Sequence, residues 1–274
     1  MSTSITEEFI ITSNGSKIAI GYYNNDKKET LLFIAGIGAW RKYWYPLFRE
    51  ANLSDYNLLA LDLPGQGDTT VPSTFSYTME DQAILLAEAL EKKDLDITAG
   101  VFHSMAGVVG AILCNRMPNL MSNFIGIESL YKFDPQSWTH MASKMPENDY
   151  SKFWKMLQNN PRNMYASSLN LTDEGRVNEA IDIMIEGTKK STLEASFNTA
   201  RSLGEVCENS LDGTIRNINL KKSYLIGERN LSSFEKDMDL LSEMGFDTKI
   251  VGQSGHMMML EQPSLVAEII KGVL

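Results

Sequence analysis

The chain has 274 residues, 43% of them hydrophobic and 22% charged, which suits one large domain, or one domain carrying a sizeable insertion, and excludes a disordered chain. A formal net charge of −10 at pH 7 excludes the concentrated Lys and Arg face of a nucleic-acid binder and points to a small-molecule partner. Met1 to Phe9 is polar and acidic, with no basic start and no apolar run, so neither a secretion signal nor a membrane partner is expected, and the expected location is cytoplasmic. Cys114 and Cys207 read as reduced thiols. With no paired Cys or His spacing, no metal site and no cofactor are expected.

Phe9 to Thr12 and Lys17 to Tyr23 flank Asn14-Gly15, the pair that most favours a tight turn, and predict an antiparallel hairpin. Short continuous apolar runs follow at Leu31 to Ala35, Leu58 to Leu61, Ile97 to Phe102, Phe124 to Ile127 and Tyr224 to Ile226, each suited to a strand buried on both faces. Between them, Tyr43 to Ala51, Thr78 to Lys92 and Ala106 to Met117 read as helices, the second opening on Thr78 and Asp81 in a capping-box arrangement. This alternation predicts a parallel sheet with helices on both sides.

From about Leu130 to Asn219 no strand run appears. Amphipathic pieces at Tyr150 to Gln158, Val177 to Gly187 and Thr192 to Cys207 predict an inserted helical cap, residues 130–219, between core segments 1–129 and 220–274. The alternation resumes with a helix over Ser232 to Met244, a strand over Thr248 to Val251 and a helix over Leu265 to Val273.

The most telling stretch is Phe102-His103-Ser104-Met105-Ala106-Gly107, which sets a serine between a buried strand and a helix rich in small residues. A serine on such a turn projects its hydroxyl at the strand's carboxyl end, beside amides at a helix N-terminus, so Ser104 is the candidate nucleophile; the alternative is a helix N-cap.

Four ordered blocks resemble the α/β-hydrolase family, in particular its capped serine hydrolases of the esterase and proline-iminopeptidase-like group. Leu32 to Gly38 resembles the oxyanion loop, with Ala35 in the usual histidine position. Asp62-Leu63-Pro64-Gly65-Gln66-Gly67-Asp68 is similar to the family's Asp-x-Pro-Gly-x-Gly segment and reads as a structural turn. The serine turn is the third block, although Phe102 and Ala106 replace the usual glycines. Ser254-Gly255-His256-Met257 with Glu261-Gln262-Pro263 resembles the histidine segment. The resemblance implies a mostly parallel eight-stranded sheet, with the cap inserted after the sixth strand.

It also implies a triad. His103 adjoins Ser104 and should diverge from it, and His140 lies in the cap, which leaves His256 as the base. The usual acid position holds Asn230, an amide able only to orient a ring. Some relatives place the acid one strand after the nucleophile, where Glu128 stands; Glu228, Asp237 and Asp239 are the alternatives. The Ile37 and Met105 amides are the expected oxyanion donors. Trp40, Tyr43, Trp44 and Met257 are the expected pocket walls, implying a small, apolar carboxylic ester. Other readings in this fold are an aminopeptidase, a thioesterase, a C–C bond hydrolase, or a non-hydrolytic lyase, cofactor-free oxygenase or ligand receptor.

Overall fold

The computed structural model describes residues 4–129, 138–159, 161–209 and 211–274. Eight strands form one sheet: β1 (Ile5–Ile11), β2 (Lys17–Tyr23), β3 (Glu29–Ile34), β4 (Asn57–Leu61), β5 (Asp96–His103), β6 (Asn123–Ile127), β7 (Lys221–Gly227) and β8 (Phe246–Val251), in the spatial order β1-β2-β4-β3-β5-β6-β7-β8. The β1–β2 hairpin and the β2–β4 pair are antiparallel, and every other neighbour is parallel. The hydrophobic pattern accounts for this. In β3, Leu32 and Ile34 join one core while Leu31 and Phe33 join the core on the opposite face, so a continuous apolar run serves both layers.

Helices cover the sheet: α1 (Tyr45–Phe48), α2 (Met79–Lys93), α3 (Ala106–Arg116), α4 (Trp138–Lys144), α5 (Glu147–Asn159), α6 (Arg162–Ser168), α7 (Glu174–Lys190), α8 (Leu193–Asn209), α9 (Leu211–Arg216), α10 (Leu231–Glu243), α11 (Met258–Glu261) and α12 (Pro263–Val273). The start of α2 is as expected, with Thr78 accepting from the Asp81 amide at 3.1 Å. The predicted helix over Tyr43 to Ala51 is instead a 3-10 turn at Arg41–Trp44, the single turn α1, and a second 3-10 turn at Ala51–Leu53. Pro46 sits in the first turn of α1 and has no N–H to extend the preceding turn.

Between β6 and β7 the described residues form only helices, α4 to α9. The Leu130 boundary expected from the sequence lies outside the described residues. These helices are stitched to the rest. Ser202 of α8 accepts from the Met79 amide at 2.9 Å, Thr199 accepts from Gln82 at 3.1 Å, and Trp40 donates to the Ile183 carbonyl of α7 at 3.0 Å. Among the described residues no helix is long and apolar enough to cross a membrane.

Phe102, the residue least suited to a tight elbow, is fully buried on the α3 side and stacks on Phe124 with ring centroids 4.8 Å apart. Its space comes from glycines elsewhere. A Cβ on Gly110 of α3 would lie 2.5 Å from the Phe102 ring, and one on Gly100 of β5 would lie 2.4 Å from it. The close approach of strand and helix therefore uses a glycine in the helix. Gly110→Ala should lower stability by about 1–3 kcal/mol through overpacking, although alanine is the better helix former. Urea unfolding would read this, and adding Phe102→Leu should recover part of the loss.

Candidate active site

Three residues at the carboxyl edge of the sheet have left-handed backbone: Ser104 (φ 56°) after β5, Glu128 (φ 39°) after β6, and Gln253 (φ 52°) in the loop after β8. Such conformations strain a non-glycine residue and persist where the surroundings hold them. Here they are held. The Ser104 amide donates to the Ile127 carbonyl of β6 at 3.0 Å, the Glu128 amide donates to the Leu225 carbonyl of β7 at 3.0 Å, and the Gln253 amide donates to the Glu228 carboxylate at 2.8 Å. Gly36, after β3, lets that loop close on the elbow, since a Cβ there would fall 2.7 Å from the Ser104 Cβ.

Glu128 is buried and accepts from the Gly227 amide (2.9 Å), from Asn230 Nδ2 (2.8 and 3.1 Å) and from His256 Nδ1 (2.9 Å). A carboxylate only accepts, so in neutral His256 the proton sits on Nδ1 and Nε2 keeps its lone pair. The residue at the usual acid position thus grips Glu128. Of the alternative acids, Glu228 accepts the Gln253 amide, Asp239 is exposed, and Asp237 lies on the cavity wall.

The His256 loop has two further holds. Glu261, fully buried, accepts from the Gly255 amide at 2.6 Å and from the Asn170 amide, and burial raises its pKa against those hydrogen bonds. His103 meets the His256 backbone carbonyl through Nε2 at 3.0 Å, with the two rings 4.5 Å apart. Burial first, and the neighbouring His256 second, push His103 well below the ordinary histidine pKa of 6.5.

The loop after β3 is braced from the Asp62 to Asp68 turn. Gln66 accepts from the Gly38 amide at 2.5 Å, and Asp62 accepts from both the backbone and the guanidinium of Arg41 at 2.5 Å. Asp68 completes the cluster by pairing with Arg41 at 2.8 Å and with Lys190 of α7. Gln66 thus holds the loop in which Ala35 takes the family's usual histidine position.

A cavity of about 800 Å³ opens above these groups and is lined by Ser104, His256, Glu128, Ile37 and Met105. Tyr43 and Met257 line it too, as do Phe153, Trp154 and Leu157 of α5 and Phe234 of α10. Trp40 and Trp44, expected as walls, do not. Trp40 is buried, donates to Ile183 and carries the cations of Arg41, Lys42 and Lys190 on its ring, whereas Trp44 packs against Phe33 in the core.

The family description "alpha/beta hydrolase fold" matches residues 29–205. The chain belongs to this family. It is 30% identical over 118 residues to the uncharacterized hydrolase YugF of Bacillus subtilis, a match covering 42% of this chain and 41% of that protein. Among solved structures it resembles a thermophilic esterase from Thermogutta terrifontis (TM-score 0.73, 18% identity, 97% of each chain covered). It also resembles the Cif epoxide hydrolase from Acinetobacter nosocomialis (TM-score 0.79, 18% identity, covering 100% of this chain and 90% of that one). At such identity these likenesses establish the fold alone, and the two proteins are named for different chemistries.

Within this α/β-hydrolase chain, sequence reasoning missed Gln66 and Glu261, although both stand inside the blocks that carry the family resemblance. Their partners are backbone amides far along the chain, which no local pattern reveals.

His103 also makes stability depend on pH. Its folded pKa is depressed, so below the ordinary value the unfolded chain takes up a proton that the folded chain refuses, and stability falls as pH drops through about 6.5. Below pH 6.5, unfolding free energy should fall with decreasing pH more steeply in the native protein than in His103→Gln, by at most about 1.4 kcal/mol per pH unit. Urea titrations at stepped pH measure the difference.

Proposed function

We propose that the protein is a serine hydrolase that cleaves a small, apolar carboxylic ester through an acyl-enzyme. The observation that carries this reading is the shared cavity. Ser104, held in a left-handed turn, lines it together with His256, whose Nδ1 is fixed by buried Glu128.

The roles follow from the chemistry. His256 Nε2 takes the Ser104 proton as the hydroxyl oxygen attacks the ester carbonyl carbon, and Glu128 stabilises the imidazolium that results. The developing oxyanion is received by the Ile37 and Met105 amides. Neighbouring amides are engaged elsewhere: Gly38 on Gln66, Gly107 on the Ser104 carbonyl and Val108 on the Met105 carbonyl. The imidazolium returns its proton to the departing alkoxide, and a water activated by His256 then releases the acid and regenerates Ser104.

Asn230 leaves Glu128 as the charged partner of the histidine. Its two donated contacts turn the carboxylate toward Nδ1 without adding a second negative charge. The helices α4 to α9 serve as the cap, and the wall of Phe153, Trp154 and Leu157 from α5 favours an apolar acyl or alkyl group.

A fluorophosphonate should label Ser104, and short p-nitrophenyl esters should be turned over; folded protein that shows neither would end the hydrolase reading. For the acid, Glu128→Gln should lower kcat by about 10²–10⁴-fold and Asn230→Ala by only about 10-fold. The reverse ranking in steady-state kinetics would move the acid role away from Glu128.

A further inference from the structure

The histidine next to the nucleophile is a buried titratable group that the mechanism above does not use. His103 ends β5, with 2% of its surface exposed. Its Nε2 is spent on the His256 carbonyl, and its Nδ1 is buried with no hydrogen-bond partner among the described residues. Neither nitrogen is free to exchange a proton with a molecule in the cavity, so His103 is not a second base. The carbonyl it meets accepts only, which places the His103 proton on Nε2 and leaves the lone pair on Nδ1.

This contact falls on the backbone of the proposed base itself. Three separate holds converge there: Glu128 on the ring, Glu261 on the Gly255 amide, and His103 on the carbonyl. The His103 and His256 rings also lie 4.5 Å apart with their planes tilted by 46°, while Trp44 meets the other side of His103 edge-on at 6.4 Å. Rotation of His256 away from Ser104 has to disturb either the carboxylate contact or this tilted ring pair.

We infer that His103 is a positioning residue for His256: its Nε2–H anchors the base's backbone carbonyl, and its neutral ring forms the floor on which the imidazole is held during proton transfer. Neutrality is essential to the second role. A cation at this distance would oppose formation of the His256 imidazolium, and the burial of His103 beside that ring disfavours such a cation. Serine and floor are joined by a single peptide bond, so the orientation of nucleophile and base is set by adjacent residues of one strand end.

The inference rests on the serine-hydrolase reading, and the two fail differently. Fluorophosphonate labelling rates and p-nitrophenyl ester kinetics are compared in the native protein, His103→Leu and His103→Gln, the last keeping an N–H near the position of Nε2. If the native protein neither labels nor turns over ester, the hydrolase reading is lost. If it does, His103→Leu should lower kcat and the labelling rate by about 10-fold or more with KM little changed, and His103→Gln should restore most of the loss. Native kcat in a folded His103→Leu protein would overturn the inference, as would a His103→Gln protein no more active than His103→Leu at matched thermal stability.

A measurement on the unsubstituted protein keeps the inference testable should the leucine variant not fold. Long-range ¹H–¹⁵N spectra should show His103 as the Nε2–H tautomer, unchanged while His256, the titratable group acting on it, gains its proton. A His103 that carries its proton on Nδ1, or that becomes charged together with His256, would overturn it.

Discussion

The Glu128 carboxylate is the joint on which the candidate site depends. It leaves the end of β6 in a strained backbone conformation and gathers the β7 terminus through Gly227, the α10 entrance through Asn230, and the loop after β8 through His256. A buried charge is tolerated only when hydrogen bonds replace the water it loses, and these contacts do so. Removing the carboxylate would therefore unmake a position as well as a charge, because two loops share that one acceptor.

Asn230 changes meaning in this setting. With an aspartate there, two carboxylates would lie within hydrogen-bond distance and would share a proton at neutral pH. The amide avoids that repulsion and donates to its neighbour, so one strand supplies the charge and the next strand aims it. Phe102 follows the same logic of displacement, since the missing elbow glycine is replaced by Gly110 one helical segment away. The β3 loop, where Ala35 takes the family's usual histidine position, is held by Gln66.

Two of the strained backbone positions fall where chemistry is proposed. Ser104 and Glu128 both turn left-handed immediately after parallel strands, and each donates its amide to the next strand along the sheet. The parallel ladder, rigid and buried on both faces, overdetermines these turns and absorbs their cost. The helices above are less isolated than an inserted lid suggests. Lys190 pairs with Asp68, Ile183 accepts from Trp40, and Glu261 takes the Asn170 amide, so movement of that layer is felt by the β3 loop and the histidine loop.

The sequence by itself determined the sheet, because apolar runs of strand length leave no other home for their side chains, and it singled out Ser104 at a strand-to-helix junction, while His256 and Glu128 were implied by the family resemblance. It under-read the edges. Short helices such as α6 and α9, of 7 and 6 residues, are too brief for a helical period to show, and the polar Thr6 to Glu8 hid the first part of β1, whose later part the hairpin expectation had covered. It also assigned Trp40 and Trp44 to the pocket on adjacency alone, whereas Trp40 is held by the Ile183 carbonyl and Trp44 by Phe33 in the core. Only the tertiary structure decided which groups meet: Asn230 with Glu128, Gln66 with Gly38, His103 with the His256 carbonyl. Such contacts join residues 28 to 153 positions apart, and no local pattern encodes a hydrogen bond whose partner arrives from another strand.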